Sequence, residues 1–150
     1  MPLHLTDRLA LLRTAFPADV SDTVPLWVNG EWRKGTPGEE FACVDPTLGE
    51  TLVSVASSTS DDIGAAVEAA KRAQGAWWEL DGQDRARVMR RIADGIRENA
   101  QALGTLDTLD AGRPIRDTVA RDTERAARLF EFFAGTTDRL RGAFIPVQPG

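Results

Sequence analysis

An α/β fold is what this sequence predicts, and three observations carry it. The apolar residues repeat with a period near two across residues 25–56, and from Ser60 onward the period changes to 3.6. Asn29-Gly30 and Asp45-Pro46-Thr47-Leu48-Gly49 interrupt the first region as turns, while Gly112 and Pro114 close one helix and open another in the second. The predicted order is a short helix, a β-rich arm, four helices and one incomplete strand, with no internal repeat.

Leu5, Leu9, Leu12 and Phe16 recur at helical intervals, so residues 5–16 are expected to form a short amphipathic helix that Pro17 ends. Residues 25–28 and 31–33 flank Asn29-Gly30, whose residue types suit the two positive-φ positions of a type I′ hairpin turn. Residues 40–44 and 51–56 form a second pair across the Pro46/Gly49 turn. These strands are short and are expected at an edge. Ser60 or Thr59 can cap the first long helix, with Asp61 and Asp62 at the positive end of its dipole. Its apolar face holds Ile63, Val67, Ala70 and Trp77. A second helix starts after Asp81 and is expected to bury Ala86, Met89, Ile92, Ala93 and Ile96; Asn99 can cap a third, which carries Leu103, Leu106 and Leu109 to Gly112. The fourth is expected from about Asp117 to Arg141, ended by Gly142, before an extended segment at 143–147.

With 150 residues, 42% hydrophobic and 27% charged, the chain is long and apolar enough for a packed domain. A net charge of -5 argues against a nucleic-acid partner. One cysteine, Cys43, excludes an internal disulfide and suits a reducing compartment. His4, Asp7 and Arg8 interrupt the leucines near the N-terminus, so no signal peptide is expected there, and no apolar run is long enough to span a bilayer. A soluble, cytoplasmic protein is the expectation.

Most catalytic constellations are missing. A single histidine, His4, allows neither a Ser-His-Asp triad nor a multi-histidine metal site. Cys43, between Ala42 and Val44, reads as a small strand hydrophobe rather than a nucleophile. No G-x-G-x-x-G loop is present, and the glycine spacing at Gly30 lacks the lysine of a phosphate-binding loop and falls in a hairpin. Arg87, Arg90, Arg91 and Arg97 alternate with Asp84, Asp94 and Glu98, the pattern of a solvated, ion-paired face. Trp77-Trp78 suits a packing anchor better than a ring-binding site. Asp107 and Asp110 share a helix face, which suits a general acid/base pair, a cation ligand or plain solvation near a helix end.

Several segments, in order, resemble the N-terminal portion of the NAD(P)-dependent aldehyde dehydrogenase family. Val28-Asn29-Gly30-Glu31-Trp32 is similar to the family's opening NGEW hairpin, and Val44 to Glu50 to its NPATGE turn, with Asp45 in place of asparagine. Ser60-Asp61-Asp62-Ile63 and the alanine-rich helix to Trp78 match the next segment, and Arg85 to Asn99 the helix after it. Thr108 to Pro114 resembles TLDxGKP, with Arg113 for lysine. Phe132 to Gly135 and Gly142 to Pro146 look like YYAG and GxTIP. The resemblance covers residues 25–147.

That resemblance implies an incomplete Rossmann-type domain: residues 1–24 as an N-terminal extension, 25–142 as the helical and β-arm start of the cofactor-binding domain, and 143–150 as the start of an oligomerisation hairpin. For the complete protein it implies oxidation of an aldehyde to a carboxylic acid, with hydride passing to NAD or NADP, through a cysteine thiohemiacetal and thioester that a glutamate-assisted water releases. An asparagine helps form the oxyanion hole. The residues for these steps, and the lysine and glycine-rich turn that hold the cofactor, match no position here, and Cys43 lacks the nucleophile's setting. No catalytic residue and no bound cofactor are therefore expected of this chain alone. The resemblance also implies that Arg121 and Arg125 lie near the substrate entrance, and that Asp110 matches an aspartate ligating a structural monovalent cation in some members. Partners implied are the remainder of the aldehyde dehydrogenase chain and further copies of it in a homo-oligomer, with no nucleic acid or membrane. The leading expectation is an N-terminal fragment of such an enzyme; the alternative is a stand-alone, non-catalytic homologue that binds or regulates a full-length one.

Overall fold

The computed structural model describes residues 23–35, 40–139 and 142. The helix expected over 5–16 and the extended segment at 143–147 lie outside them. Both predicted hairpins form. Strands β2 (Leu26–Val28) and β3 (Glu31–Arg33) pair antiparallel. Asn29 and Gly30 between them take φ values of 57° and 80°, the left-handed region that an Asn-Gly turn supplies at least strain. Trp27 faces Trp32 across this ribbon with ring centroids 4.8 Å apart, edge to face.

Strands β4 (Glu40–Val44) and β5 (Thr51–Ala56) also pair antiparallel, with a bulge at Cys43/Val44. Asp45 closes their connection. Its carboxylate accepts from the Thr47 amide at 2.7 Å, and its carbonyl accepts from the Gly49 amide at 2.8 Å. Strand β1 (Thr23–Val24) adds to β5 in parallel, giving the sheet order β1-β5-β4.

Helix α1 (Ser60–Glu79) is capped by Thr59 rather than by Ser60. Thr59 and Asp62 form a reciprocal capping box: the Thr59 hydroxyl accepts from the Asp62 amide, and the Asp62 carboxylate accepts from the Thr59 amide at 2.9 Å. These contacts hold the Asp62 carboxyl below its ordinary pKa, the Thr59 amide contributing most and its hydroxyl next. Asp81 caps helix α2 (Gly82–Glu98), accepting from the Asp84 amide at 2.7 Å. Helix α3 (Ala100–Ala111) ends at Gly112, where φ is 69°. Asn99 does not cap α3 with its side chain as expected; its amide group instead donates to the Gly95 carbonyl at 2.9 Å and closes the end of α2. The two helices abut so closely that the C-terminal carbonyl of one took the donor.

The expected fourth helix is three pieces: a turn, α4 (Ile115–Asp117), a π-helical turn over Thr118–Asp122, and α5 (Thr123–Ala134). The widened turn is closely packed. Thr118 is fully buried, with its hydroxyl 2.8 Å from that of Thr108, and Val119 lies so close to Gly104 that no side chain fits between them. The end also comes earlier, at Gly135 rather than Gly142. The Thr136 and Thr137 hydroxyls donate to the Phe133 and Ala134 carbonyls, and Thr137 reaches the Gly82 carbonyl at 2.7 Å, which ties the chain to the start of α2.

Two packed regions result. Ala86 and Ala93 of α2 and Ala127 and Ala134 of α5 are buried, so α2 and α5 pack through short side chains. Beneath the sheet, Leu52 of β5 meets Leu109 of α3, with Cys43, Val53 and Leu106 around them. Of the face expected for α2, Met89 and Ile96 are half-buried but Ile92 is exposed.

Candidate functional site

The residues that carry chemistry collect where α3 ends and the sheet begins. The bulge at Cys43 and the Leu52–Leu109 contact bring β4 against the last turn of α3. The Cys43 thiol there donates to Asp110 Oδ1 at 3.1 Å. Burial pushes the thiol pKa up to about 11, and the accepting carboxylate and its negative charge push the same way. At neutral pH this sulfur holds its proton, the opposite of an activated nucleophile. The reading of Cys43 as a small strand residue stands.

Asp107 and Asp110 share a helix but not a site. Asp110 turns to Cys43, whereas Asp107 lies 3.9 Å from the Arg113 guanidinium. Arg113 makes its close ion pair with Asp122 of the π-helical turn, at 2.6 Å. The arginine after the helix stop therefore bridges α3 to the segment that carries Arg121. Arg121 pairs with Asp117 at 3.2 Å and projects largely into solvent; Arg125, one turn on, is exposed.

Sequence reasoning missed one cluster. Arg97 donates to Glu131 at 2.6 and 2.9 Å and to Glu124 at 2.9 Å, joining α2 to α5, and Arg128 also donates to Glu124 at 2.9 Å. These hydrogen bonds hold the Glu124 carboxyl down to about 2, Arg97 contributing most and Arg128 next, and Arg97 likewise lowers Glu131. Sequence pattern paired Arg97 with acids on its own helix; the partners lie 27 and 34 residues away, which no local spacing reveals.

No glycine-rich turn of the dinucleotide-binding kind occurs among the described residues. Gly30, Gly49 and Gly112, the positive-φ glycines, serve a hairpin, a strand connection and a helix stop, and none stands between a strand and the start of a helix. Nor do three or more His, Cys, Asp or Glu residues gather for a metal among the described residues. Asp110 contributes one carboxylate beside a protonated thiol, far short of an oxygen cage.

The aldehyde dehydrogenase family model matches residues 32–150, most of the chain. That match decides the assignment. This chain belongs to the aldehyde dehydrogenase family. It is 34% identical over 125 residues to the mitochondrial aldehyde dehydrogenase family 2 member B4 of Arabidopsis thaliana, covering 82% of this chain and 23% of that protein. It is 37% identical over 127 residues to aldehyde dehydrogenase 1 of Tanacetum cinerariifolium, covering 82% of this chain and 25% of the relative. Among solved structures, gamma-glutamyl-gamma-aminobutyraldehyde dehydrogenase from Burkholderia cenocepacia superposes with a TM-score of 0.78 at 35% identity, covering 97% of this chain and 29% of its own. Betaine aldehyde dehydrogenase from Staphylococcus aureus, in complex with NAD+, gives a TM-score of 0.79 at 28% identity, covering 95% and 27%.

The chain thus spans about a quarter of the length of the aldehyde dehydrogenases it matches, and it corresponds to an N-terminal portion of them. Its helices and small sheets are the fold of that portion. No helix among the described residues is long and apolar enough to cross a membrane.

Proposed function

We propose that this chain forms the start of the cofactor-binding domain of an NAD(P)-dependent aldehyde dehydrogenase, a cytoplasmic homo-oligomer that oxidises an aldehyde to a carboxylic acid once the remainder of the protein is present. The family match over residues 32–150 carries this reading. The NAD+ held by the Staphylococcus aureus relative supports a nicotinamide cofactor for the whole protein. Alone, the chain is expected to be inactive, because the residues that carry the family's chemistry match no position in it, and its one cysteine stands beside Asp110 in a strand rather than in the nucleophile's setting.

The open apolar side chains support a partner. Ile92, Leu103, Leu129, Phe132 and Phe133 are all exposed, and faces of this kind seek a covering surface. We assign that role to the remainder of the aldehyde dehydrogenase chain. Arg121 of the π-helical turn and Arg125 at the start of α5, both exposed, are proposed to sit at the substrate entrance, and Asp110 to supply one oxygen of a monovalent-cation site completed from outside this chain.

The test is co-expression with the downstream three quarters of a family relative. The expected result is a soluble complex with aldehyde-dependent NAD(P)H production, and none from this chain alone. Turnover by the chain alone that Cys43→Ala abolishes would overturn the proposal. In the complex, Arg121→Glu is expected to raise KM for the aldehyde with little change in kcat. Asp110→Asn separates two roles: it should speed Cys43 alkylation at pH 8 about tenfold for each unit by which the thiol pKa falls, whereas activity indifferent to potassium or sodium would remove the cation site.

A further inference from the structure

The start of α2 and the end of α5 leave a groove between them. Buried Ala86 and Ala134 line it, two short side chains that leave the space above them open. The chain after α5 is latched to α2. The Thr137 hydroxyl donates to the Gly82 carbonyl at 2.7 Å, and a Cβ at Gly82 would lie only 3.0 Å from the Thr137 carbonyl oxygen. That latch makes the segment after α5 a wall of the groove, which holds about 360 Å³. Small-molecule sites run from about 300 to 1,000 Å³, so the space suits a small ligand.

The lining is cationic. Arg87 and Arg90 come from α2 and Arg139 from the segment after α5, and Asp138 is the one acid among the lining residues. Arg90 makes no hydrogen bond or ion pair with a described residue. Arg87 pairs with Asp84 at 2.6 Å, and Arg139 comes no nearer than 4.0 Å to Asp138. A guanidinium carries five N–H donors, so most of those around the groove are open to a ligand. Three like charges lining one concavity repel one another, in a chain whose net charge is -5. An anion among them would reverse the sign of that interaction.

We propose that this groove binds a phosphate dianion, free or as a small phosphomonoester. Three guanidiniums against one carboxylate leave two positive charges, which a dianion matches. The planar fork of arginine also fits two phosphate oxygens at once, a geometry that a rounder ammonium does not offer.

The whole chain tests this by titration with inorganic phosphate at constant ionic strength and about pH 7.5, read by backbone amide shifts. The shifts are expected to saturate and to be confined to residues 83–90 and 134–139. Arg90→Gln should weaken binding about tenfold. Arg91→Gln, the next residue on α2 but not part of the lining, should leave it unchanged. Acetate, a monoanion, should bind at least tenfold more weakly than phosphate. Glycerol 3-phosphate then identifies the source: tighter binding than phosphate supports an ester, equal binding supports free phosphate. Shifts that never saturate would overturn the proposal and leave the arginines to carboxylates of the remainder of the family chain. An Arg91→Gln effect as large as that of Arg90→Gln, or acetate as strong as phosphate, would reduce the binding to general charge screening and overturn it as well. Should Arg90→Gln fold poorly, Arg139→Gln reads the same groove from the other element, and undiminished phosphate affinity there refutes the site.

Discussion

Helices α1 and α2 look alike in sequence and differ in how they are held. Each opens on a side-chain cap, Thr59 or Asp81, and each repeats apolar residues every three or four positions. Yet α2 is sealed against α5 with Ala93 and Ala127 at zero exposure, while α1 buries only Ala69. The difference lies in the partner. Alanines on both α2 and α5 let the helix axes approach, and Arg97 then reaches two carboxylates across the contact. Bulky residues on α1 meet no facing element among the described residues. Periodicity reveals that a helix has a face; small side chains on two elements reveal that the faces meet.

Glycine substitutions break this comparison most sharply. A Cβ at Gly104 of α3 would lie 2.6 Å from the Val119 backbone, and rigid main chain cannot yield there as a flexible side chain would. Gly104→Ala is expected to destabilise the protein by about 3 kcal/mol, the upper end for overpacking. On α1, Gly75 has nothing within 4 Å of such an atom, so Gly75→Ala is expected to stabilise by about 0.5–1 kcal/mol through helix propensity. Urea denaturation of both variants measures the pair. Equal and opposite small changes would mean that the π-helical turn shifts to admit a methyl group.

The next effect is at the α1 cap. With little packing to support it, α1 relies on the Thr59–Asp62 box for its start. Thr59→Ala is expected to cost about 1 kcal/mol and to fray the first turn, seen as faster amide exchange at residues 60–64. The exchange of α2 should not change. Spread of the effect into α2 would show that the two helices open as one unit.

Much of this was legible in the sequence. Asn29-Gly30 forced its hairpin, Gly112 its helix stop, and the change of period at Ser60 marked where strands give way to helices, because each signal is local and acts through its own backbone. What was not legible acts across distance. The π-helical turn packs where Gly104 meets Val119 and Thr108 meets Thr118, contacts that no local spacing reveals. At the candidate site, the spacing of Asp107 and Asp110 suggested a shared role. Tertiary contacts sent one to Arg113 and the other to Cys43. The resemblance located Arg121, Arg125 and Asp110 in the family pattern, but their solvent exposure or single partners follow from packing alone.

Acid separates the two helices by the smallest and most specific effect. Glu124 is held down to about 2 by Arg97 and Arg128, against an ordinary value of 4.5. A carboxyl whose pKa is lower in the folded chain favours folding fully above its ordinary value, and that contribution fades as pH falls from about 4.5 to about 2. Glu131, lowered by the same guanidinium, adds to the fade in the same direction. Arg97→Met removes the cation that contributes most to both shifts and leaves Arg128 beside Glu124, so the variant's melting temperature should fall less steeply than the parent's between pH 5 and pH 2. The pair is partly exposed, so 0.5 M salt should shrink the difference between the two slopes. On α1, the only ion pair described is the exposed Lys71–Glu68 pair within one turn, and Lys71→Met should leave the slope as it is. Asp62, lowered by Thr59, keeps its own acid sensitivity in both variants, so a residual slope in Arg97→Met is expected. A slope unchanged by Arg97→Met would mean that the clasp orients α5 without holding it, and the sealing of α2 would then rest on its alanines alone.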